Sequence, residues 1–480
     1  MIKAEKKISL SGFLTLDGWR SFFMGRAYPA LIATLVLFGN ITALDYYVNF
    51  IVTGLFVFAM MISKSIRPLI ITACSYIYQI SVAHAPGYPT YSDFFFSAWR
   101  KPVSVFIIFL VGIAFVTFAF RNGIHRRVTE EKGNLFSSLL FFSIALLFNG
   151  AFSGEWSYKN LIFGFLNTLV YFFLFLIVCF GFEEHEKSND ILEYFCYISL
   201  LLSGVIICEM LHLFLLTDGV IVGGAIVKDR VALGWGIWNI IGNSLAVLIP
   251  ALFYGAMTAR RYYIYFLFAT LSYIFSVLSM SRNALVFSSL CYFVCIAIAS
   301  FFGNHRIFYR RISIMGILLI LIFGIVFFGE IRLIFIDYFE RGFSDSGRFQ
   351  LWSLAIGTFR ESPVFGNGFY GLDTDLIFEY SAFPRMAHNT FFQILSSMGF
   401  FGIISYGWYR IETARIFLNR PTLPKTMLGM SILVFLLGSL LDNFVFNIHP
   451  AIYYTFALAI AFRLDKEENK YIKRESYHNA

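Results

Sequence analysis

The sequence predicts an all-α integral membrane protein, a polytopic bundle of about 12–14 transmembrane helices with a helical extracytoplasmic loop. Three observations predict it. Of 480 residues, 58% are hydrophobic and 14% charged, with mean hydropathy +0.72; a soluble chain of this length needs far more polar surface. Apolar runs of bilayer-spanning length recur along the chain, and in lipid only helices or closed barrels satisfy every backbone polar group. The alternation of a barrel strand is absent. The 60 Phe and 27 Tyr suit lipid contact and interfacial belts.

Taken in order, the first 27 residues carry Lys and Arg without an uninterrupted apolar core, so no cleavable signal is expected. Within them, ISLSGFLTLDGWRSFFMG reads as an amphipathic segment lying in the interface. Spans follow at 28–44, 46–63, 68–83, 102–120, 135–152, 161–182 and 191–216. Further spans are expected at 240–256, 262–280, 284–302, 312–336, 387–407, 426–441 and 446–462. Residues 1–480 form a single membrane domain, with no internal repeat and no appended soluble domain.

The net charge is +8. With both termini in the cytoplasm, 26 of the 37 Lys and Arg residues fall on the cytoplasmic side, as the positive-inside rule requires. The basic balance is thus topological, and no nucleic-acid partner is expected. Several residues left outside are isolated arginines close to span ends. The six cysteines, Cys74, Cys179, Cys196, Cys208, Cys291 and Cys295, all sit in apolar helices and read as packing. Cys291 and Cys295 share a helix face, but nothing nearby completes a metal site.

Three external connections are long: 84–102, 217–239 and 337–386. Long ordered loops are usually functional, so chemistry is expected on the extracytoplasmic side. In the third loop, SGRFQLWSLAIGTFRESP (346–363) reads as a helix capped by Ser346. Its apolar stripe of Phe349, Trp352, Ala355, Ile356 and Phe359 should dock onto the membrane domain. Arg348 in its first turn opposes the helix dipole, which suits a site where both face an anion. The following GNGFYG (366–371) spells a dinucleotide fingerprint without its strand and βαβ unit; its glycines are expected to make turns.

SMSRNAL (279–285) breaks two spans and puts Ser281 and Arg282 at the outer boundary. An arginine there must reach water, headgroups or a partner anion, and Arg230 in VKDRVALGWG poses the same choice. MAHNTFFQILSSMGFFGIISY (386–406) opens a span with His388 and Asn389. Asn389 suits a helix cap. His388 suits proton transfer near neutrality, or a plain polar role at a helix end. Gly399 and Gly402 allow close helix packing that would hold this helix firmly. Mid-span acids are scarce; Glu209 stands out, with His212 on the same helix face, as an internal pair or a relay.

The run H-N-x9-G-x-x-G from His388 to Gly402 resembles the signature of the O-antigen ligase and polymerase superfamily. MSRNAL resembles its serine-arginine turn, SGRFQLWSLAIGTFRESPVFGNGFYG its external loop, and GIWNIIGNSLAVLIPALF (236–253) its asparagine-containing span. The resemblance covers roughly Arg230 to Ala461. It implies a GT-C-type, metal-independent glycosyltransferase of the bacterial inner membrane, with no cofactor and its site outside. The donor would be a glycan on undecaprenyl diphosphate, moved in one block to an acceptor sugar hydroxyl. Arg282 and Arg348, with Arg230, would hold the diphosphate. His388 would be the base, supported by Ser281, Asn389, Gly399 and Gly402. A polymerase acts on a lipid-linked repeat unit and a ligase on lipid A-core. The polymerase is the reading adopted, with the ligase as alternative and a precursor flippase or transporter as the reading from another class. For a metal-dependent membrane enzyme the early outer loop offers only Asp45.

Overall fold

The computed structural model describes residues 15–76, 101–129, 133–181, 186–326, 347–371 and 387–478, apart from 43, 155 and 224. Within them the regular structure is helical apart from two short hairpins, Ile221–Val222 with Ala225–Ile226 and Ala232–Leu233 with Gly236–Ile237. The all-α membrane class is therefore borne out. Among the described residues five helices are long and apolar enough to cross a bilayer: Tyr158–Phe180, Ser188–Leu216, Trp238–Thr258, Arg282–Phe302 and Leu423–Leu441. Leu16–Met24 and Ala27–Thr42 are long and apolar enough together but meet at 70°, the geometry of a broken span or a re-entrant loop. Leu16–Met24 is the end of the expected interfacial segment, capped by the Thr15 hydroxyl, which accepts from Gly18 N at 3.2 Å.

Shorter apolar helices at Tyr47–Ile62, Phe109–Arg121, Asn134–Leu147 and Tyr262–Leu278 fall on expected spans. The expected spans at 68–83 and 312–336 are helical over Arg67–Tyr76 and Arg306–Val326; their remainders, like most of the loop at 84–102 and most of 337–386, lie outside the described residues. We label the helices that build the site α1 (Trp238–Thr258), α2 (Arg282–Phe302), α3 (Arg348–Glu361), α4 (Thr390–Leu418), α5 (Leu423–Leu441) and α6 (Ile448–His478). The core centres on α1, in which every residue from Ile241 to Met257 is buried. It packs on Ser188–Leu216, Tyr262–Leu278, α2 and α5. Gly242 makes one of these contacts possible, because a Cβ there would lie 2.3 Å from Ser279 Oγ and 2.5 Å from Ala284 Cβ.

Helix α4 departs from the expected 387–407. It runs to Leu418, so Arg410, Glu412 and Arg415, expected in a cytoplasmic connection, lie on the helix. The Arg410 guanidinium sits 4.4 Å over the Tyr406 ring and 4.6 Å over that of Tyr409, and donates to Tyr454 Oη at 2.6 Å. Aromatic faces and a phenol thus replace water around the charge. Glu412 pairs with Arg415.

The same helix is broken. Gly399 has φ +60° and ψ −155°, which ends the i to i−4 ladder. The segment after α3 fills the break. Phe400 N donates to Pro363 O at 2.8 Å and Phe401 N to Val364 O at 3.1 Å. Asn367 N and Gly368 N donate to Ser396 O and Ser397 O at 2.8 and 3.0 Å. The groups freed by the break are satisfied by a second chain segment, as an apolar interior demands. Gly366 and Gly368, both at positive φ, make the turns expected of GNGFYG. Gly399 thus makes a break and not the smooth helix contact expected of it: a Cβ would lie 2.5 Å from Pro363 O. At Gly402 a Cβ would meet Met398 Cβ at 2.3 Å, just across the break on the same helix.

The break generates a prediction. A side chain at a left-handed position costs about 1–3 kcal/mol, and here the backbone of 363–364 must move as well. Gly399→Ala should therefore lower thermal stability in detergent markedly. Gly407→Ala, on the same helix with nothing within 4 Å of the new methyl, should be neutral or gain up to about 1 kcal/mol of helix propensity. Equal melting temperatures for the two variants would contradict the broken helix.

Candidate active site

The first turn of α4 is built by Asn389. Its Oδ1 accepts from Phe391 N at 2.8 Å and Phe392 N at 3.2 Å, which is the expected cap. Its Nδ2 donates to Leu440 O at 2.7 Å, satisfying a carbonyl that the end of α5 leaves free. Asn389 therefore ties the start of α4 to the end of α5. That places His388, the residue before the cap, beside Asp442, the residue after α5. His388 Nδ1 lies 3.2 Å from Asp442 Oδ1.

The arrangement fixes the imidazole chemically. A carboxylate on Nδ1 selects the tautomer that carries its proton there, leaving Nε2 as an acceptor. The His388 side chain is 45% exposed and that of Asp442 17%, so the ring stands at the surface of the site while its partner lies deeper. His388 has φ +49°, a strained conformation for a non-glycine residue.

Asp442 is held from both sides. Its Oδ1 also accepts from Asn443 N at 2.8 Å, and its Oδ2 accepts from Asn239 Nδ2 at 3.2 Å. Asn239 is the second residue of α1, and its Oδ1 accepts from the Ser281 hydroxyl at 2.7 Å. That hydroxyl in turn accepts from Ala284 N at 3.2 Å as the cap of α2. A continuous polar chain therefore runs from the start of α2 to His388. Arg282, the exposed first residue of α2, follows Ser281 directly. Met280, just before Ser281, is also at positive φ.

Helix α3 brings the other arginine. Leu351, Ala355 and Thr358 are its buried face. Trp352 stacks on Phe392 with ring centroids 5.0 Å apart, and Phe359 meets Phe400 at 5.1 Å. Trp352 Nε1 donates to Ala387 O at 3.1 Å, so α3 is bonded to the residue preceding His388. Arg348 lies one turn before Trp352 on the same helix face. The expected apolar stripe needs correction, because Phe349 and Ile356 are 66% and 37% exposed. The cap is Gly347 in the left-handed region, with no side-chain bond; Ser346 lies outside the described residues.

The starts of α1, α2 and α4 are thus joined to one histidine–carboxylate pair through Asn239, Ser281 and Asn389, and α3 reaches the residue before His388 through Trp352. Each start carries the positive end of a helix dipole, and Arg282 and Arg348 are the first residues of α2 and α3. Such a place attracts an anion. Arg230 is engaged within its loop: its Nη1 donates to the backbone carbonyl of Asp218 at 3.4 Å and packs against Gly219. Among the described residues no group of three or more His, Cys, Asp or Glu could hold a metal ion. Glu209 and His212 form no pair with each other. The Glu209 carboxylate accepts from Trp235 Nε1 at 2.7 Å and from Asn40 Nδ2, fastening the 217–237 loop to the bundle.

Asp442 and Asn239 escaped the reading of the residues. Asp442 had one signal, an acid ending an apolar run in LLDNF. Asn239 sits in GIWN, a stretch singled out only by resemblance. Residues 264–407 match the family model described as O-antigen ligase. This bears out the resemblance to the ligase and polymerase superfamily over the segment that holds Ser281, Arg282, α3, His388 and the break. Asn239 and Asp442 lie outside it. No curated protein matches the chain.

Ser281 carries a testable load. Ser281→Ala removes the α2 cap and leaves Asn239 Oδ1 without its donor, a loss of about 0.5–2 kcal/mol for the cap alone. Ser281→Thr keeps both bonds and should melt close to wild type. An alanine variant as stable as the threonine variant would contradict the chain from Ser281 to Asp442.

Proposed function

We propose that this multi-pass membrane protein transfers a glycan in one block from a polyprenyl-diphosphate carrier to a sugar hydroxyl. The observation that carries the reading is a half-exposed histidine held by a partly buried carboxylate, joined by hydrogen bonds to the starts of α1, α2 and α4 and through Trp352 to α3, with Arg282 and Arg348 as the first residues of α2 and α3. In the reaction the acceptor oxygen attacks the anomeric carbon. The bond from that carbon to the diphosphate oxygen breaks, and the electron pair leaves on the diphosphate. His388 Nε2 takes the hydroxyl proton, and Asp442 stabilises the imidazolium that results. Arg282 and Arg348 balance the charge developing on the leaving group through bidentate, charged hydrogen bonds. That is the work a divalent cation does in other glycosyltransferases, so we assign none here. Arg230, already engaged by Asp218, is left out of this clamp.

The donor proposed is undecaprenyl diphosphate carrying a glycan, met at the outer face of the bacterial inner membrane. In the polymerase form, which we adopt, the acceptor is a fresh lipid-linked repeat unit. A ligase would use the same residues on lipid A-core. A glycan ladder from a deletion strain separates them. Loss of every product beyond one repeat marks the polymerase; intact lipid-linked polymer beside a bare core marks the ligase.

Arg282→Ala and Arg348→Ala should each weaken donor binding by about 1.5–3 kcal/mol, with Lys a partial rescue because it lacks the planar fork. His388→Gln should leave donor binding near wild type and slow transfer about 10²–10⁴-fold. Near-normal transfer by His388→Gln would remove His388 as the base. For sidedness, a cysteine at exposed Ser353 should react with an impermeant maleimide in intact spheroplasts. One at exposed Arg420 should react only after permeabilisation, both in a Cys208→Ser background. The reverse pattern would put the site on the cytoplasmic face.

A further inference from the structure

The amide of Gln393 touches both flanks of the His388–Asp442 pair. Gln393 is fully buried, one turn into α4. Its Oε1 accepts from Ala387 N at 2.7 Å and from Asn443 Nδ2 at 3.1 Å. Ala387 is the residue before His388, and Asn443 is the residue after Asp442. A single oxygen thus spans two chain segments that are 54 residues apart at the paired side chains. The other end of the amide is occupied too: Nε2 donates to Ser397 Oγ at 2.8 Å, beside the break at Gly399.

The surroundings make this a fixed link. Ala387 and Ser397 are fully buried and Asn443 nearly so. Ala387 is held at both of its backbone polar groups, the N–H by Gln393 and the carbonyl by Trp352. With those two bonds made, the backbone entering His388 has little freedom, which agrees with the strained φ the histidine retains. Asn443 is similarly pinned, and its own N–H bonds Asp442 Oδ1. The amide is suited to the place because one oxygen with two lone pairs serves two donors while its nitrogen donates onward.

We propose that Gln393 is the positioning residue of the reaction: it sets the distance and angle between His388 and Asp442 without touching substrate. The inference rests on His388 acting as the base. Gln393→Met keeps the length and bulk of the side chain and removes the acceptor. Gln393→Glu keeps an acceptor for Ala387 and Asn443, and its second oxygen accepts from the Ser397 hydroxyl, which rotates to donate.

The test uses the full-length protein in lipid nanodiscs with a lipid-linked glycan donor. Gln393→Met should lower kcat by about 10²-fold, the loss typical of a small misplacement of a catalytic group, with donor KM within about threefold of wild type. Gln393→Glu should stay within about fivefold. On an Asp442→Asn background, Gln393→Met should add less than about threefold, because groups that act as one unit are not additive. Asn443→Ala, which removes one donor to the same oxygen, should give the same kcat-only loss. A normal kcat for Gln393→Met, or a full loss that multiplies on Asp442→Asn, overturns the inference while His388→Gln remains inactive and the base assignment stands. Gln393→Met and Asn443→Ala both failing to fold overturns it as well, by making the role structural. An active His388→Gln removes the base and this inference with it.

Discussion

A helix that breaks inside an apolar bundle must find new partners for the backbone groups it frees. The fold of this protein turns on one such break. Helix α4 stops being regular at Gly399, and the chain from Pro363 to Gly368 enters the gap and takes up four of its backbone groups. The short piece of α4 above the break is thereby separated from the long piece below. Its first turn is directed by what it meets at its own start, the end of α5 through Asn389 and the helix α3 through Trp352. The loop that carries α3 and the helix that carries His388 are locked by the same set of bonds.

The site inherits its chemistry from that geometry. The starts of α1, α2 and α4 are tied to one place by Asn239, Ser281 and Asn389, so positive dipole ends are directed there. Asp442 is the carboxylate placed there among the described residues, and its hydrogen bonds to Asn239, Asn443 and His388 leave it committed to orienting the imidazole. A diphosphate has the charge to suit those dipole ends, and a sugar hydroxyl beside it would meet the free nitrogen of the histidine.

Much of this was legible in the residues, and for identifiable reasons. Hydropathy is a local property, so Trp238–Thr258, Arg282–Phe302 and Leu423–Leu441 could be read from their own composition. Capping is local too, which is why Asn389 and the break at Ser281 were visible. The hydropathy signal failed where a charge is accommodated by its surroundings in the fold. Arg410 ended the expected span at 407 because, although Tyr406 and Tyr409 stand beside it in sequence, the Tyr454 hydroxyl that accepts from it arrives from α6. The partner of His388 was hidden for the same reason, since Asp442 arrives from the end of another helix. Phe349 and Ile356 had the right spacing to be buried, but Trp352 and Phe359 determine which face of α3 docks.

The central claim is that the anion belongs between Arg282 and Arg348, against the His388–Asp442 pair. A cryo-EM structure of the protein with undecaprenyl diphosphate, the leaving group itself, tests it directly. The account predicts diphosphate density within about 2.7–3.2 Å of both guanidinium groups, with the bond from His388 to Asp442 intact. Diphosphate bound instead at Arg230, or at the opposite end of the bundle, would contradict it.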